Sequence, residues 1–294
     1  MFTEQGPEEG PTVRELAVQA LSSIERGYDL LAPKFDLTPY RTPDRVLDAV
    51  TRAVRELGPF DTGLDVCCGT GAGVGVLRQL CRERVVGVDF SAGMLAEARA
   101  AFPPGSETAP AVEGPADDGG PADDGGPADD GGPADDGGPA DDEGPAGSRR
   151  PPGSGGPAID WVRADARSLP FAPAFDLALS FGAFGHFLPA ERFGLFAEVH
   201  GSLRPGGQFV FPIGAPPPVG SRAYWSLLGF DAAMRVRNAL WRPTFVMYYR
   251  TFRLGDVLED LARAGFVVRL QPLTELGPRP DGSPRARLVV ATRE

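Results

Sequence analysis

Cysteine and histidine are scarce in this 294-residue chain, which contains three of the first and two of the second. Two of the cysteines, Cys67 and Cys68, are adjacent, and no Cys-x-x-Cys spacing occurs. The sequence therefore predicts neither a disulfide framework nor a metal site. Together with Cys81, these residues are expected to be small buried side chains of a protein in a reducing compartment.

Long apolar runs are also missing from the sequence. No stretch reaches the length of a membrane span, and the acidic residues 1–11 lack the apolar core of a secretory signal peptide. We therefore expect a cytoplasmic protein without a membrane span.

Positive charge is nearly absent from one segment, residues 103–157. This segment contains ten aspartates and three glutamates against two arginines, and it carries the whole formal net charge of −11. The rest of the chain is therefore neutral. A neutral folded part lacks the basic surface of nucleic-acid-binding proteins, so we expect no nucleic-acid partner.

Residues 115–144 within this segment are five copies of Pro-Ala-Asp-Asp-Gly-Gly, of which the last ends in Glu-Gly. Frequent proline and glycine, like charges and no large apolar side chain leave nothing to bury against the entropy of ordering. The sequence therefore predicts a disordered insert over residues 103–157. The insert is either a loop whose length is tolerated or a tether that solubilises the protein or binds a partner, and the sequence leaves both open.

The most informative stretch runs from Leu64 to Gly73. It has the pattern of a buried strand that passes through Asp65 into a glycine turn and a helix, and the following strand ends in Asp89. A strand, glycine turn, helix and acid-tipped strand form an adenosine-binding half-site. Glycines let the backbone approach a ligand, and an ionised aspartate accepts hydrogen bonds from ribose hydroxyls.

The glycine spacing separates the candidate cofactors. Glycines stand at positions 69, 71, 73 and 75, which does not fit the Gly-x-Gly-x-x-Gly of dinucleotide-binding folds. No Gly-Lys-Ser/Thr follows, so a phosphate-binding P-loop is excluded. A nicotinamide-dependent oxidoreductase remains the alternative enzyme, and an interaction protein that works through its acidic repeat is the non-enzymatic alternative.

The same residues resemble the class I S-adenosylmethionine-dependent methyltransferases. Asp65, Gly69 and Gly71 match the first motif of that family, with Cys67 where a common form has glycine. The form Asp-Val-Cys-Cys-Gly-Thr-Gly is similar to the ubiquinone/menaquinone-biosynthesis branch. The resemblance implies S-adenosylmethionine as cofactor and an α/β fold. That fold is a doubly wound, seven-stranded, mostly parallel Rossmann-like sheet with an antiparallel C-terminal hairpin edge.

The resemblance covers residues 60–102 and 158–213 well and residues 251–294 more loosely. It implies these cofactor contacts: Asp89 on the ribose; Phe90 and Met94 beside the adenine; Asp165 and Ala166 at the adenine edge; Asp65, Gly69 and Gly71 at the methionine end; Ser180 in the fourth strand, which the resemblance matches to residues 175–181.

Residues 1–45 are expected to form an N-terminal helical cap on a methyltransferase domain that spans residues 46–294. A capping box at Thr12 predicts a first helix that ends near Gly27. The segment from Tyr28 to Asp36 is similar to the Tyr-Asp-x-x-Ala-x-x-Tyr-Asp entry of quinone-type methyltransferases, with Phe35 in place of the second tyrosine. In that family the segment closes over the cofactor. Tyr28, Tyr40 and Arg41 are candidates to line the methionine end of the cofactor; alternatively, they are packing residues of the N-terminal cap.

Residues 215–250 form a longer insertion that is rich in aromatic residues and methionine. Its pattern from Tyr224 to Val236 predicts a helix, and its aromatic side chains continue to Tyr249. We interpret residues 215–250 as a lid over a bulky apolar substrate. Alternatively, the helix simply covers the sheet.

His186 follows the fourth strand and is the candidate catalytic residue. As a base it would take a proton from an acceptor hydroxyl; alternatively, it shapes the pocket. His200 is expected to be structural. The resemblance implies methyl transfer by in-line displacement. Together with the aromatic insertion and the neutral folded part, it predicts an oxygen or carbon of a small apolar or aromatic metabolite as the acceptor. The sequence does not predict an oligomeric state.

Overall fold

The computed structural model describes residues 10–38, 40–103, 156–248 and 251–294. The predicted insert, except for its two ends, and the last two residues of the predicted lid, Tyr249 and Arg250, lie outside these ranges. Among the described residues, no helix combines the length and the apolar character needed to cross a membrane.

Helices surround a seven-stranded sheet. The strands are β1 Phe60–Val66, β2 Cys81–Asp89, β3 Ala158–Arg163, β4 Phe175–Leu179, β5 Leu203–Gly214, β6 Phe266–Pro272 and β7 Ala286–Arg293. The helices are α1 Val13–Leu21, α2 Ile24–Leu31, α3 Asp44–Arg55, α4 Ala72–Leu80, α5 Ala92–Ala101, α6 Arg192–Ser202, α7 Arg222–Leu240 and α8 Leu254–Arg263. Short 3-10 helices span Ala32–Leu37, Ala183–His186, Pro189–Glu191 and Thr274–Leu276.

The strand order is β3-β2-β1-β4-β5-β7-β6. Strands β1 to β5 pair in parallel, and β7 lies between β5 and β6, antiparallel to both. This confirms the predicted mostly parallel sheet with an antiparallel C-terminal edge. The order reverses between β1 and β4, and in such sheets the ligand crevice opens at the carboxyl ends of the strands beside that switch point.

The two faces of β1 belong to different hydrophobic layers, because successive side chains of a strand point to opposite faces. Leu64 packs in the layer that contains Phe196 of α6 and Leu261 of α8. The other layer contains Val50 of α3 and Leu77 of α4. The residue after Leu64 is Asp65, which therefore faces the layer of α3 and α4.

The N-terminal cap contains two helices where the sequence pattern predicted one that ends near Gly27, so that prediction was wrong. The first helix ends at Leu21, and Ser23 is the N-cap of α2. The Ser23 hydroxyl accepts a hydrogen bond from the Arg26 N–H at 3.3 Å. Serine competes with helical backbone bonding in the middle of a helix and stabilises a helix start, which explains the break. Tyr28 consequently lies on a helix rather than in a connection.

Candidate functional site

A cavity of about 360 Å³ opens beside the carboxyl ends of β1 to β4. The predicted cofactor residues line it, with the exceptions of Gly71 and Ser180. Gly71 is the N-cap of α4, and the buried Ser180 hydroxyl donates to the Val66 carbonyl at 2.8 Å, which ties β4 to β1. These two residues therefore do not line the cavity themselves but support the elements that do: Gly71 begins α4, and Ser180 holds the end of β4 against β1.

The turn after β1 requires left-handed backbone at three positions. Cys67, Gly69 and Gly71 have φ values of 60°, 53° and 96°. Glycine adopts this region without steric cost, whereas a residue with a side chain rarely does. Cys67 is the one described residue other than glycine with a positive φ, at the position where the sequence departs from the common family form.

Asp65 lies against the first turn of α4. A Cβ atom added at Gly73 would lie 2.4 Å from Oδ2 of Asp65, so only glycine leaves room for the carboxyl group there. The Val74 N–H donates a hydrogen bond to Asp65. Sequence reasoning gave Gly73 only a backbone role, but its missing side chain also makes space for Asp65.

The electrostatics of Asp65 are unusual, because this carboxyl group is 1% exposed and its Oδ2 has no hydrogen-bond partner. Burial, followed by the nearby charge of Asp89, raises the pKa of Asp65 to about 8. A buried acceptor without a donor is costly unless a ligand satisfies it. This side of the cavity therefore favours a ligand that carries positive charge or hydrogen-bond donors.

Asp89 ends β2 and holds the glycine turn in place. Its Oδ2 accepts from the Gly69 N–H and its Oδ1 from the Ser91 N–H, both at 2.9 Å. Burial raises the pKa of Asp89, while these backbone donors act in the opposite direction. Each carboxylate oxygen has two lone pairs, so both can accept a further bond from a ligand hydroxyl.

Asp165 is bound by a residue that the sequence analysis missed. The Arg167 guanidinium bonds both oxygens of Asp165, with Nη2 at 2.6 Å from Oδ2 and Nε at 3.0 Å from Oδ1. Arg167 also bonds Glu191, and its side-chain hydrogen bonds to Asp165 lower the pKa of that carboxyl group. A ligand amine at this edge would therefore share Asp165 with Arg167.

Two aspartates fasten the N-terminal cap across the cavity. Asp29 Oδ1 accepts from the Ser91 hydroxyl at 2.6 Å and the Gly93 N–H at 2.9 Å, at the start of α5. Asp36 Oδ1 accepts from the Thr70 hydroxyl at 2.7 Å, just before α4. Carboxylates at helix N-termini are favourable, so the two Asp positions of the Tyr-Asp pattern hold the cap against the two helices of the half-site.

His186 and Tyr28 meet inside the cavity. The Tyr28 Oη atom lies 2.7 Å from His186 Nε2, and His186 Nδ1 lies 2.8 Å from the Val246 carbonyl oxygen. Because a carbonyl only accepts, Nδ1 carries the proton and Nε2 accepts from the tyrosine hydroxyl. Burial lowers the pKa of His186, which is therefore neutral. The role of His186 as a base stays a prediction. Nε2 is the nitrogen that would accept a proton, and the Tyr28 hydroxyl occupies that position.

The insertion forms the predicted helix, α7, but most of its aromatic residues do not face the cavity. Met234 packs with Phe245 and Tyr248 in a small cluster that also contacts Tyr28. Trp225 and Trp241 are exposed, and of this insertion Met247 lines the cavity. The apolar wall comes instead from these residues: Ile24, Phe35, Phe181, Phe187 and Met247. A lid role for residues 215–250 stays a prediction.

Comparisons with known proteins find methyltransferase domains in the sequence and the same fold in solved structures. Residues 64–124 and 146–211 each match a family model described as a methyltransferase domain. A chain from the Haloferax volcanii complex that contains the Trm112 methyltransferase activator is 15% identical, with a TM-score of 0.52, and the match covers 90% of this chain and 96% of that one. A Methanosarcina mazei S-adenosylmethionine-dependent methyltransferase is 17% identical, with a TM-score of 0.50 and coverage of 82% and 96%. No curated protein matches the sequence.

Proposed function

Since the chain is a class I S-adenosylmethionine-dependent methyltransferase, we propose that it methylates an oxygen or carbon of a small apolar or aromatic metabolite. The observation that carries the proposal is the continuity of the cavity. Its acidic end, at Asp65 and Asp89, runs without a partition into a wall of aromatic side chains that includes Phe181 and Phe187. A site of this kind accepts a charged cofactor at one end and an apolar ring at the other.

The cofactor, S-adenosylmethionine, fits the donor set of the acidic end. It supplies an activated methyl group on a positively charged sulfur and also carries an amino group and two ribose hydroxyls. In the proposed placement, Asp89 accepts from the ribose hydroxyls and Asp65 faces the positive methionine end. The backbone from Gly69 to Gly73 approaches the ligand closely because it carries no side chain except that of Thr70 and Ala72.

The remaining predicted contacts complete this placement. Phe90 and Met94 flank the adenine, Asp165 and Ala166 meet its edge, and Tyr28 and Arg41 close the methionine end under the cap. Enclosure by the cap excludes water and aligns the nucleophile with the methyl group, which are the main demands of this reaction.

Within the class of small apolar or aromatic metabolites, we propose a quinone precursor as the acceptor. The similarity of Asp65–Gly71 and of Tyr28–Asp36 to the quinone-biosynthesis branch supports it, as does the aromatic wall beside the cofactor site. A protein or nucleic-acid acceptor would have to enter a cavity of about 360 Å³ under the cap, which favours a small molecule.

Transfer of tritium from methyl-labelled S-adenosylmethionine tests the acceptor class. The purified chain is incubated with an extract of the source cells, and the label is followed after separation of macromolecules from solvent-extractable compounds. We expect the label in an apolar small molecule, and Gly71→Arg, which places a bulky residue in a left-handed position beside Phe102, should abolish it. Label in protein or nucleic acid would contradict the proposal.

The raised pKa of Asp65 predicts a pH-dependent affinity for the cofactor. Below about pH 8 the ligand-free protein holds a proton on Asp65, and a positively charged ligand must displace it. Affinity for S-adenosylmethionine should therefore rise by up to roughly tenfold per pH unit between about pH 5.5 and 7.5, where the cofactor's own amino group stays protonated. Isothermal titration across this range measures the slope, and Asp65→Asn should remove it. An unchanged slope in that variant would exclude Asp65 as its source.

A further inference from the structure

We propose that Tyr28 is the group that takes the proton from a hydroxyl-bearing acceptor, and that it passes its own proton to His186. The inference rests on the proposed function and specifies how its oxygen nucleophile is activated. It also replaces a direct contact between His186 and the acceptor with a relay of two side chains.

The geometry that carries the proposal is a chain of two hydrogen bonds. The Tyr28 hydroxyl donates to His186 Nε2 at 2.7 Å, and His186 Nδ1 donates to the Val246 carbonyl at 2.8 Å. The second bond fixes the tautomer, so Nε2 keeps its lone pair toward Tyr28. Both side chains line the cavity. A phenolic oxygen accepts as well as donates, so Tyr28 Oη is the atom of the pair that would meet an acceptor hydroxyl.

Aromatic packing holds the two rings in this arrangement. Phe245 stacks on Tyr28 with ring centroids 6.5 Å apart, and its ring meets that of His186 at 88°. The rings of Tyr28 and His186 meet edge to face at 5.2 Å. A base whose position is fixed before the acceptor arrives loses little entropy when it reacts.

The proton and electron balance of the step closes within the cavity. The oxygen–hydrogen bond of the acceptor breaks, its proton goes to Tyr28 Oη, and the Tyr28 proton goes to His186 Nε2. The acceptor oxygen forms a bond to the methyl carbon, while the methyl–sulfur bond breaks and its electron pair stays on sulfur. The positive charge lost from sulfur appears on His186, so the net charge of the cavity does not change.

The charged surroundings of the pair are compatible with this transfer. Tyr28 is the titratable side chain in contact with His186, and burial keeps the histidine neutral before reaction. The other charged or ionisable residues that line the cavity are Tyr40, Arg41, Asp65, Cys67, Cys68, Asp89, Asp165 and Arg167. The carboxylates among them favour a positive charge on the imidazole after transfer, and the two arginines oppose it.

The alternative to a proton relay is that the hydrogen bond between Tyr28 and His186 only holds the N-terminal cap against the rest of the protein. Tyr248→Phe is the matched control for that role. Tyr248 lies in the same cluster as Met234 and Phe245, and its hydroxyl accepts from the Asn238 amide at 3.0 Å, but it does not line the cavity. Both variants delete one tyrosine hydroxyl and keep the ring, so their structural costs are similar.

The kinetic test uses the tritium assay, with the solvent-extractable small-molecule fraction of the source cells as acceptor. We expect Tyr28→Phe and His186→Gln to lower kcat by about 10²- to 10⁴-fold with little change in KM, and Tyr248→Phe to stay near wild type. Raising the pH ionises the acceptor without a base, so it should recover part of the lost rate in Tyr28→Phe. Equal losses in Tyr28→Phe and Tyr248→Phe, or no recovery at high pH, would overturn the relay.

A second readout does not depend on turnover. Nitrogen NMR of the histidine-labelled full chain with S-adenosylhomocysteine reports which ring nitrogen of His186 is protonated, and His200→Asn identifies the second histidine. We expect the proton on Nδ1 and a shift of the Nε2 resonance in Tyr28→Phe. A proton on Nε2 would overturn the relay even if wild type labels a small molecule. If wild type labels none, the proposed function fails, and the relay fails with it, whatever the spectrum shows.

Discussion

Asp89→Ala is expected to weaken cofactor binding by at least about 1.5–3 kcal/mol, which is roughly 10- to 150-fold in Kd. The substitution removes the proposed acceptor of the ribose hydroxyls. It also leaves the Gly69 and Ser91 N–H groups, which now donate to the carboxylate at 2.9 Å, without their partner. The glycine turn therefore loses its support in the same change.

Isothermal titration with S-adenosylhomocysteine measures this effect, and Asp160→Ala is the control. Asp160 lies on the neighbouring strand β3, where its carboxylate pairs with Arg84 on the surface at 2.7 Å and does not line the cavity. Its replacement should leave Kd unchanged. An Asp89→Ala protein that is folded by circular dichroism and binds like wild type would remove Asp89 from the site.

Gly73→Ala is the second substitution with a large expected effect. The added Cβ would lie 2.4–2.6 Å from the carboxyl atoms of Asp65, which is buried and cannot move away without repacking. Such overpacking costs typically about 1–3 kcal/mol. This cost applies with and without ligand, so it does not itself change affinity. The displaced Asp65 loses its contact with the methionine end, which is worth about 1.5–3 kcal/mol, so binding of S-adenosylmethionine should weaken by roughly 10- to 150-fold.

Gly75→Ala is the matched control for Gly73→Ala. Gly75 lies in the same helix, and a Cβ there would meet Phe102 at an ordinary contact distance of 3.6 Å. Both changes raise helix propensity by a similar amount, so the difference between them isolates the contact with Asp65. Equal Kd values for the two variants in isothermal titration would contradict the role of Gly73.

The sheet and the acidic end of the cavity were predictable because their signals are local. The stretch from β1 to β2 is continuous in sequence and contains Asp65 near the end of the first strand, the glycine turn, and Asp89 at the end of the second strand. The position of Cys67 was also visible as a departure from the usual glycine. The left-handed backbone at that residue explains why glycine is common there.

The orientation of α7 was not predictable from its periodicity. Apolar residues occur on both sides of this helix, with Met234 buried and Trp225 exposed. A pattern with two apolar faces cannot indicate which face is packed. The aromatic wall of the cavity therefore comes partly from residues that the sequence analysis did not assign to the substrate, such as Phe181 and Phe187.

Contacts between distant parts of the chain were also missed. Tyr28 and His186 are 158 residues apart, and each was assigned a separate role. Arg167 lies only two residues after Asp165, but its guanidinium could have pointed to solvent instead of binding that carboxylate. Side-chain pairing of this kind depends on the folded geometry and leaves no mark in the spacing of the sequence.

A crystal structure of the full chain with S-adenosylhomocysteine tests the central claim most directly. We expect the ligand in the cavity at the carboxyl ends of β1 and β2, with its ribose hydroxyls on Asp89 and its methionine end beside Asp65, under the cap that carries Tyr28. A ligand bound elsewhere, or bound here with its ribose away from Asp89, would contradict the account.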